Sequence, residues 1–220
     1  MNDGLWQLTL ADFREQTASA QPTPGGGSVC SVSASFGLGL VVMALEITKR
    51  RCTSELAQPL TSSIARARAL LLELATSAEA DVQAFARYVA AQKLPHADER
   101  ARALRDEALR ASAHEATEVP LAAARQTLAG LELAAEAALL SSLHVISDVL
   151  AGAELLHAAV AGLVATLTMN LRADSDLARV QSYQQQRDEI SRHAARVIVL
   201  VRARVDERHA AQTPPALQRG

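Results

Sequence analysis

Apolar side chains in the long segments of this chain recur at the three- and four-residue spacing of an amphipathic helix. Strict alternation of apolar and polar positions, which would indicate strands, is absent. The pattern is clear in the segment 60–92, where the residues near helical spacing are Ile64, Leu71, Leu74, Ala78, Phe85 and Val89. The pattern therefore predicts an all-α fold.

Capping residues mark the starts of two of the predicted helices. Thr9-Leu10-Ala11-Asp12 places an acid three residues after a hydroxyl, which is a helix-start signature. Ser147-Asp148 predicts the cap of a new helix near Val149, with ligand binding as the alternative role. The predicted segments are a short helix to about Ser19, a small-residue helix from Ser28 to about Cys52, a long helix over 60–92, a segment over 97–130, nearly continuous helix from Leu131 to Leu171 and a last helix from about Ser175 to Arg208. The stretch from Leu131 to Leu171 is interrupted only at Ser141-Ser142 and at Ser147-Asp148.

Prolines are expected to interrupt this helical pattern at three places. Pro59 predicts a break before the long helix, and Leu94-Pro95 predicts its end. Pro120 predicts a kink or break inside 97–130, because proline lacks the backbone N–H and clashes with the carbonyl one turn earlier.

The length bounds the organisation of the chain. A chain of 220 residues can build one full core, and nothing in it reads as a linker between two cores. We predict a single domain over 1–210 and a disordered tail over 211–220, which contains Thr213-Pro214-Pro215. Six to seven helices then form a multi-helix bundle with the small-residue helix at its centre.

Composition and charge exclude some partners. Hydrophobic residues make up 49% of the chain but aromatic residues only 3%, and the formal net charge is −2. The basic surface and the stacking aromatics of nucleic-acid binders are therefore missing. Cys30 and Cys52 show no metal-ligand spacing and indicate a reducing compartment, and Met1-Asn2-Asp3-Gly4 does not resemble a signal peptide. We predict a cytoplasmic protein.

One uncharged run raises the question of a membrane. Val29 to Leu45 spans 17 residues without a charge and precedes Lys49-Arg50-Arg51. The run is short for a membrane span and contains serines and glycines, so a buried central helix is preferred over a lipid-exposed one. The positive charges of these three residues would complement the negative end of the helix dipole at its C-terminus, or bind a carboxylate.

A turn of prolines and glycines precedes the small-residue helix. Pro22-Thr23-Pro24-Gly25-Gly26-Gly27-Ser28 removes side chains where a helix begins. Such a backbone suits close approach to a ligand at the helix N-terminus, where free N–H groups favour anions, or close packing against another helix. The turn alone leaves both readings open.

Asp81 shares one predicted helix face with aromatic residues. Asp81, Ala84, Phe85 and Tyr88 stand at i, i+3, i+4 and i+7, and the chain has only one Trp, two Tyr and three Phe in all. Burial of that face would raise the pKa of the acid and suit it to proton transfer near neutral pH. The alternative is a boundary aspartate beside solvent, with the aromatic rings in the core.

Metal and nucleophile motifs are weak or missing. Glu154-Leu155-Leu156-His157 has the E-x-x-H spacing of di-metal bundles, but its near-partner, Asp206-Glu207-Arg208-His209, lies close to the C-terminus, so we predict no metal site. The sequence lacks G-x-S-x-G, G-x-x-x-x-G-K-[ST] and a G-x-G-x-x-G after a strand, which excludes the common hydrolase, NTPase and dinucleotide sites.

The motifs together, in their order, resemble one family. Phe13, the P-x-P-G-G-G-S turn, Asp81-Val82-Gln83-Ala84-Phe85, Ile146-Ser147-Asp148 and Asn170-Leu171 are similar to the cyclodeaminase/cyclohydrolase family over about residues 6–205. That family includes the C-terminal domain of formiminotransferase-cyclodeaminase and the bacterial methenyltetrahydrofolate cyclohydrolases.

The resemblance implies an all-helical homodimer that acts on a tetrahydrofolate derivative and needs no metal or further cofactor. It implies that Asp81 is the catalytic acid/base. The substrate-binding positions it implies are Pro24, Gly25, Gly26, Gly27, Ser28, Phe85, Ser147 and Asp148. The reaction is then hydrolysis of 5,10-methenyltetrahydrofolate to 10-formyltetrahydrofolate, or deamination of 5-formiminotetrahydrofolate to the methenyl compound.

Some positions depart from the family pattern. Ser141-Ser142 stands where a Gly-Asn pair precedes the Ser-Asp, Glu46 replaces an asparagine, and Cys52 stands where a tyrosine is common. These departures motivate the alternative of a non-catalytic helical dimer or binding module that has kept the fold.

The last predicted helix carries an apolar stripe. Its members, spaced for one helix face, are Ile190, Ala194, Val197, Val201 and Val205. Because a two-fold interface pairs the same patch on both chains, we expect this stripe to be the subunit contact.

Overall fold

The computed structural model describes residues 4–173 and 176–211. Over these residues it contains six α-helices, three short 3-10 turns and no strand. The helices are α1 (Leu10–Thr17), α2 (Gly26–Lys49), α3 (Ser54–Gln92), α4 (Glu99–Leu140), α5 (Ile146–Asn170) and α6 (Leu177–Ala210). The all-α bundle predicted from the sequence is confirmed. The predicted disorder of residues 212–220 and the predicted helix start at Ser175 lie outside the described residues.

The small-residue helix α2 is the centre of the bundle. It packs against α3, α4 and α5, while α6 closes the far side by packing on α4 and α5. Side chains that are completely buried include Leu38, Val41 and Leu45. Because no charged residue occurs before Glu46, this helix can be surrounded on three sides without burying an unpaired charge.

Two glycines let α2 and α5 cross at close range. A β-carbon on Gly37 would lie 2.8 Å from the Gly152 carbonyl oxygen and 3.0 Å from the Leu155 β-carbon. Neither glycine has a positive φ. Their role is therefore steric, since they remove side chains where two backbones meet.

Two of the three expected proline breaks are wrong. α3 begins at Ser54 and includes the exposed Pro59 in its second turn, and α4 runs unbroken through the buried Pro120. Each proline leaves one carbonyl without its helical donor. At Pro59 that group is near solvent, and at Pro120 it is the Ala116 carbonyl, to which the Asn170 side chain donates. α4 continues through Pro120 because the freed Ala116 carbonyl has another partner. The predicted end of the long helix at Leu94-Pro95 is confirmed, because α3 ends at Gln92.

The predicted cap at Ser147-Asp148 is also wrong. α5 begins one residue earlier, at Ile146, after a 3-10 turn over Leu143–Val145, and no side chain caps it. The other expected interruption, at Ser141-Ser142, is confirmed, because α4 ends at Leu140 and the Ser142 N–H donates to the Thr48 Oγ1 of α2 at 2.8 Å. This contact between distant parts of the chain fixes where α4 ends.

The apolar stripe of α6 faces inward. Its five residues, Ile190, Ala194, Val197, Val201 and Val205, are each at most 8% exposed within one subunit. They pack against α4 and α5. The expectation that this stripe forms the subunit contact is therefore wrong, because the single chain already covers it.

Two helical stretches are long and apolar enough to cross a membrane by length and composition alone, namely Gly26–Lys49 and Leu143–Asn170. Their most apolar windows are 61% and 39% buried within the subunit. The burial of α2 is that of a core helix. The absence of a membrane partner stays a prediction.

Candidate functional site

Asp81 caps the N-terminus of α2 from another helix. The Ser28 N–H donates to Asp81 Oδ2 at 2.8 Å. The residue in the capping position of α2 itself, Gly25, has no side chain to accept this bond. A carboxylate carried by α3 thus meets the free N–H groups and the positive dipole end of the central helix.

Gly27 makes this approach possible. A β-carbon on Gly27 would lie 2.5 Å from Asp81 Cγ and 2.9 Å from Asp81 Oδ2, well inside van der Waals contact. A β-carbon on Gly26 would meet only Thr166 Oγ1, at 3.4 Å. None of the described glycines has a positive φ, so the turn needs glycine for space rather than for backbone conformation.

The environment of Asp81 shifts its proton equilibrium. Burial raises the pKa of the carboxyl above its usual range, and the hydrogen bonds from Ser28 oppose this only in part. The Cys30 thiol lies close enough that burial, followed by the charge of Asp81, raises its pKa as well. Asp81 is therefore a carboxyl group that exchanges its proton closer to neutral pH than an exposed aspartate does.

A cavity of about 390 Å³ opens beside Asp81. It lies between the start of α2, the second half of α3, the middle of α4 and the end of α5. The lining residues are Pro22, Thr23, Gly25, Gly26, Gly27, Asp81, Ala84, Phe85, Tyr88, Ala113, Ala116, Thr166, Met169 and Asn170. The wall is mainly apolar, with two aromatic rings and a few polar groups, as is typical of small-molecule sites.

Most of the site residues predicted from the sequence meet at this cavity. Gly25, Gly26, Gly27, Asp81 and Phe85 line it. Ser28 is fully buried and contributes its N–H to Asp81 instead.

Three of the predicted positions lie elsewhere in the subunit. Pro24 lines a neighbouring, separate pocket with Leu5 and Glu79. Ser147 and Asp148 are in the first turn of α5, whereas the cavity lies at the last turns of that helix. The rise of an α-helix separates the two ends by about 27 Å.

Sequence reasoning missed the contribution of α4 and α5 to the wall. Tyr88 shares the helix face of Asp81 and lines the cavity, but it is not among the binding positions that the family resemblance implies. Thr166 and Asn170, one turn apart, are two of the three polar residues in the apolar stretch 158–170 of α5, which is a signal that could have found them. Ala113 and Ala116 carry no such signal, because small residues are common throughout α4.

The E-x-x-H pair does not form a metal centre in the described part of the chain. Glu154 receives a bidentate hydrogen bond from Arg202, at 2.7 and 2.8 Å, which lowers the pKa of the Glu154 carboxyl. Among the residues that the structure describes, no group of three or more His, Cys, Asp or Glu side chains could hold a metal ion.

Comparison with known proteins identifies the family. The sequence profile described as Formiminotransferase-cyclodeaminase matches residues 9–189. The chain belongs to this family. The resemblance seen in the sequence is thereby confirmed.

Two relatives with similar sequences differ in how much of their own length this cyclodeaminase-family chain covers. It is 33% identical over 141 residues to the methenyltetrahydrofolate cyclohydrolase of Methylorubrum extorquens, a match that covers 64% of this chain and 68% of that protein. It is 30% identical over 208 residues to the formimidoyltransferase-cyclodeaminase of Sus scrofa, covering 94% of this chain but only 38% of that protein.

A solved relative shares the fold of this family member. The crystal structure of formiminotetrahydrofolate cyclodeaminase from Thermotoga maritima superimposes with a TM-score of 0.81, covering 92% of this chain and 98% of that one. The sequence identity is 22%, so this likeness concerns the fold.

Proposed function

We propose that this chain is a folate one-carbon enzyme whose cavity beside Asp81 binds a tetrahydrofolate derivative. The observation that carries the proposal is the position of Asp81, held against the start of α2 by the Ser28 N–H and open to the cavity. Membership of the family supplies the substrate class, and the cavity supplies a place for it.

The shape and chemistry of the cavity suit a flat, conjugated ligand. Phe85 and Tyr88 follow Asp81 by about one and two helical turns and line the same space. Aromatic side chains pack well against a flat heterocycle, and the volume of about 390 Å³ lies within the range of small-molecule pockets.

We propose hydrolysis of 5,10-methenyltetrahydrofolate as the reaction. Water adds to the bridging carbon, and ionised Asp81 takes the proton from that water. The bond from this carbon to N5 then breaks, N5 receives a proton, and the hydroxyl loses its proton to leave the N10-formyl product. The cyclohydrolase relative, which aligns with similar shares of both chains, favours this reaction.

Deamination of 5-formiminotetrahydrofolate is the second candidate. N10 attacks the formimino carbon and loses its own proton. The formimino nitrogen gains two protons, one that balances this loss and one from an acid, and ammonia leaves while the positive charge stays on the methenyl bridge. Protonated Asp81 would act as the acid in this step. The pig relative, whose match extends over 94% of this chain, favours this candidate. A non-catalytic module is disfavoured because Asp81 keeps a raised pKa at the edge of an open cavity.

One assay distinguishes these outcomes. The purified chain is incubated with 5,10-methenyltetrahydrofolate and, separately, with 5-formiminotetrahydrofolate, while the absorbance of the methenyl chromophore is followed. Loss of the chromophore above the rate with Asp81→Asn supports the hydrolase, and its appearance supports the deaminase. No difference from the variant in either reaction would overturn the enzyme proposal.

The proposal includes a homodimer, formed through the uncovered sides of α2 and α5. Phe36 and Met43 stand seven residues apart on α2 and are 50% and 39% exposed, and Leu155 of α5 is 40% exposed. Because the two helices cross closely at Gly37, these side chains contribute to one apolar surface. A second copy of the chain would cover this surface by two-fold pairing. We propose no metal, nucleic-acid or membrane partner, and a cytoplasmic location.

A further inference from the structure

Pro120 changes the hydrogen bonding of the helix wall that faces the cavity. In a regular α-helix the N–H of residue 120 would donate to the carbonyl of Ala116, but proline has no N–H. The Ala116 carbonyl instead accepts a hydrogen bond from Asn170 Nδ2, at 2.5 Å, across the gap between α4 and α5. Both Ala116 and Asn170 line the cavity.

This bond fixes the orientation of the Asn170 amide. An asparagine side chain carries a donor at Nδ2 and an acceptor at Oδ1, and the partners decide which end points where. A backbone carbonyl accepts only, so the Nδ2 end must face Ala116. Oδ1 is then left as an acceptor, and no donor from the described part of the chain reaches it.

Two other polar side chains of the cavity already have partners. Asp81 accepts from the Ser28 N–H, and the Thr166 hydroxyl donates to the Gly162 carbonyl of its own helix at 3.1 Å. The Asn170 Oδ1 is therefore an oriented acceptor available to a ligand. It lies at the end of α5, on a different helix from Asp81.

We infer that Asn170 is a specificity-determining residue that accepts a hydrogen bond from the 2-amino edge of a pterin ring through its Oδ1. The inference rests on the proposed function, since the pterin belongs to the proposed folate substrate. Pro120 is a positioning residue in this arrangement, because it frees the carbonyl that orients the amide. The 2-amino group is a hydrogen-bond donor. A ligand that lacks this donor leaves the partly buried Asn170 Oδ1 unpaired, which weakens binding about tenfold.

A pair of unreactive ligands tests the inference. The dissociation constants of 5,8-dideazafolate and of its 2-desamino-2-methyl analogue are measured by calorimetry for the wild-type chain and for Asn170→Ala. We expect the wild-type chain to bind the 2-amino ligand about tenfold more tightly than its analogue. Asn170→Ala should bind both ligands with similar affinity, weaker than that of the wild-type chain for the 2-amino ligand. The matched control is Thr168→Ala, two residues earlier on α5, whose hydroxyl bonds within its own helix and does not line the cavity.

The outcomes separate this inference from the proposed function. If the wild-type chain binds the 2-amino ligand and Asn170→Ala keeps the full preference for it over the analogue, the role proposed for Asn170 is refuted and the folate site stands. The role is equally wrong if the wild-type chain binds both ligands with the same affinity. If the wild-type chain binds neither ligand, the folate site itself is overturned, and the inference with it.

A second variant tests the orientation without touching the ligand. Pro120→Ala restores an N–H that can donate to the Ala116 carbonyl. This N–H competes with Asn170 Nδ2 for the carbonyl, so the orientation of the Asn170 amide is less fixed. Pro120 does not line the cavity. We therefore expect the preference for the 2-amino ligand to fall towards that of Asn170→Ala while the helical circular dichroism is retained. An unchanged preference would overturn the role assigned to the Ala116 carbonyl. This variant also keeps the inference testable if Asn170→Ala does not fold.

Discussion

The carboxylate of Asp81 accepts a hydrogen bond from the Ser28 N–H at 2.8 Å, although the two residues are 53 positions apart in the sequence. The bond joins α3 to the start of the central helix and holds the acid at the edge of the cavity. One group thus has a structural role as a helix cap and, in our proposal, a chemical role as the proton carrier. The two roles can be separated by substitution.

Asp81→Asn should abolish turnover while it preserves the fold. The amide oxygen can still accept from the Ser28 N–H, but the side chain no longer exchanges a proton near neutral pH. We expect a loss in kcat of about 100-fold or more, the size of a lost general acid or base, with folate affinity changed little. Steady-state kinetics and ligand binding measure the two effects. Retention of most of kcat would show that Asp81 acts only as a cap.

Asp81→Ala should lower stability as well as activity. Alanine removes the acceptor of the Ser28 N–H, and the loss of a helix cap costs about 1 kcal/mol of the free energy of unfolding. Asp81→Asn is the matched control, because it keeps an acceptor and removes the cost of burying a charge. Denaturant unfolding at neutral pH should therefore rank Asp81→Asn at or above the wild-type chain, and Asp81→Ala below both. Equal stability of the two variants would contradict the capping role.

The pH dependence of the reaction should reveal the raised pKa of Asp81. Burial favours the protonated carboxyl, so the stability that this group contributes is present at low pH and is lost as pH rises through its raised pKa. In the hydrolase the ionised form is the active base. For the hydrolase we expect kcat/KM to fall as pH decreases through a pKa above that of an exposed aspartate. For the deaminase, in which protonated Asp81 is the acid, we expect kcat/KM to fall as pH increases through the same pKa. A profile that is flat across this range in the wild-type chain would argue against proton transfer by Asp81.

Gly27→Ala should displace Asp81 from the start of α2. The new β-carbon would lie 2.5 Å from Asp81 Cγ, so the carboxylate must move away from the Ser28 N–H. We expect a loss of about 1 to 3 kcal/mol in the free energy of unfolding, as for other overpacked sites, together with loss of turnover. Gly39→Ala is the control: it lies in the same helix with nothing within 4 Å of a β-carbon, so it should stabilise the chain by about 0.5 to 1 kcal/mol. If Gly27→Ala melted like the wild-type chain, the close contact would be wrong.

Phe36→Glu should separate the proposed dimer into folded monomers. Phe36 is 50% exposed in the subunit, so a charge there disturbs the subunit contact more than the core. Light scattering should give about 47 kDa for the wild-type chain, twice the 23.3 kDa of one chain, and half that mass for the variant. Val197→Glu, on the inward stripe of α6, should instead unfold the chain because Val197 is buried. A Phe36→Glu chain that remained dimeric would place the contact on another surface.

The sequence predicts this fold well because the signals of its helices are local. Helical spacing over 60–92, the cap at Thr9 and the uncharged run of α2 are properties of neighbouring residues, and they carry over directly into α1, α2 and α3. The same locality explains why Asp81 and Phe85 were placed on one face. Residues four positions apart in a helix point the same way, whatever surrounds them.

The errors occur where a distant residue decides the local structure. Pro120 ends or kinks a helix only if its freed carbonyl has no other partner, and that partner is Asn170 of α5. The interruption at Ser141-Ser142 is visible in the sequence, but the hydrogen bond from the Ser142 N–H to Thr48 Oγ1 is not. No window of sequence contains both members of these pairs.

The sequence by itself determined the helical elements, the glycine turn and the acid beside two aromatic rings, because each depends on spacing along one segment. Only the tertiary structure decided that Gly27 gives Asp81 its space, that Asn170 faces the same cavity and that Ser147 lies at the far end of α5. The physical reason is that a cavity is a property of several helices together. Its wall depends on how they cross, and that is set by packing and by hydrogen bonds between residues far apart in the chain.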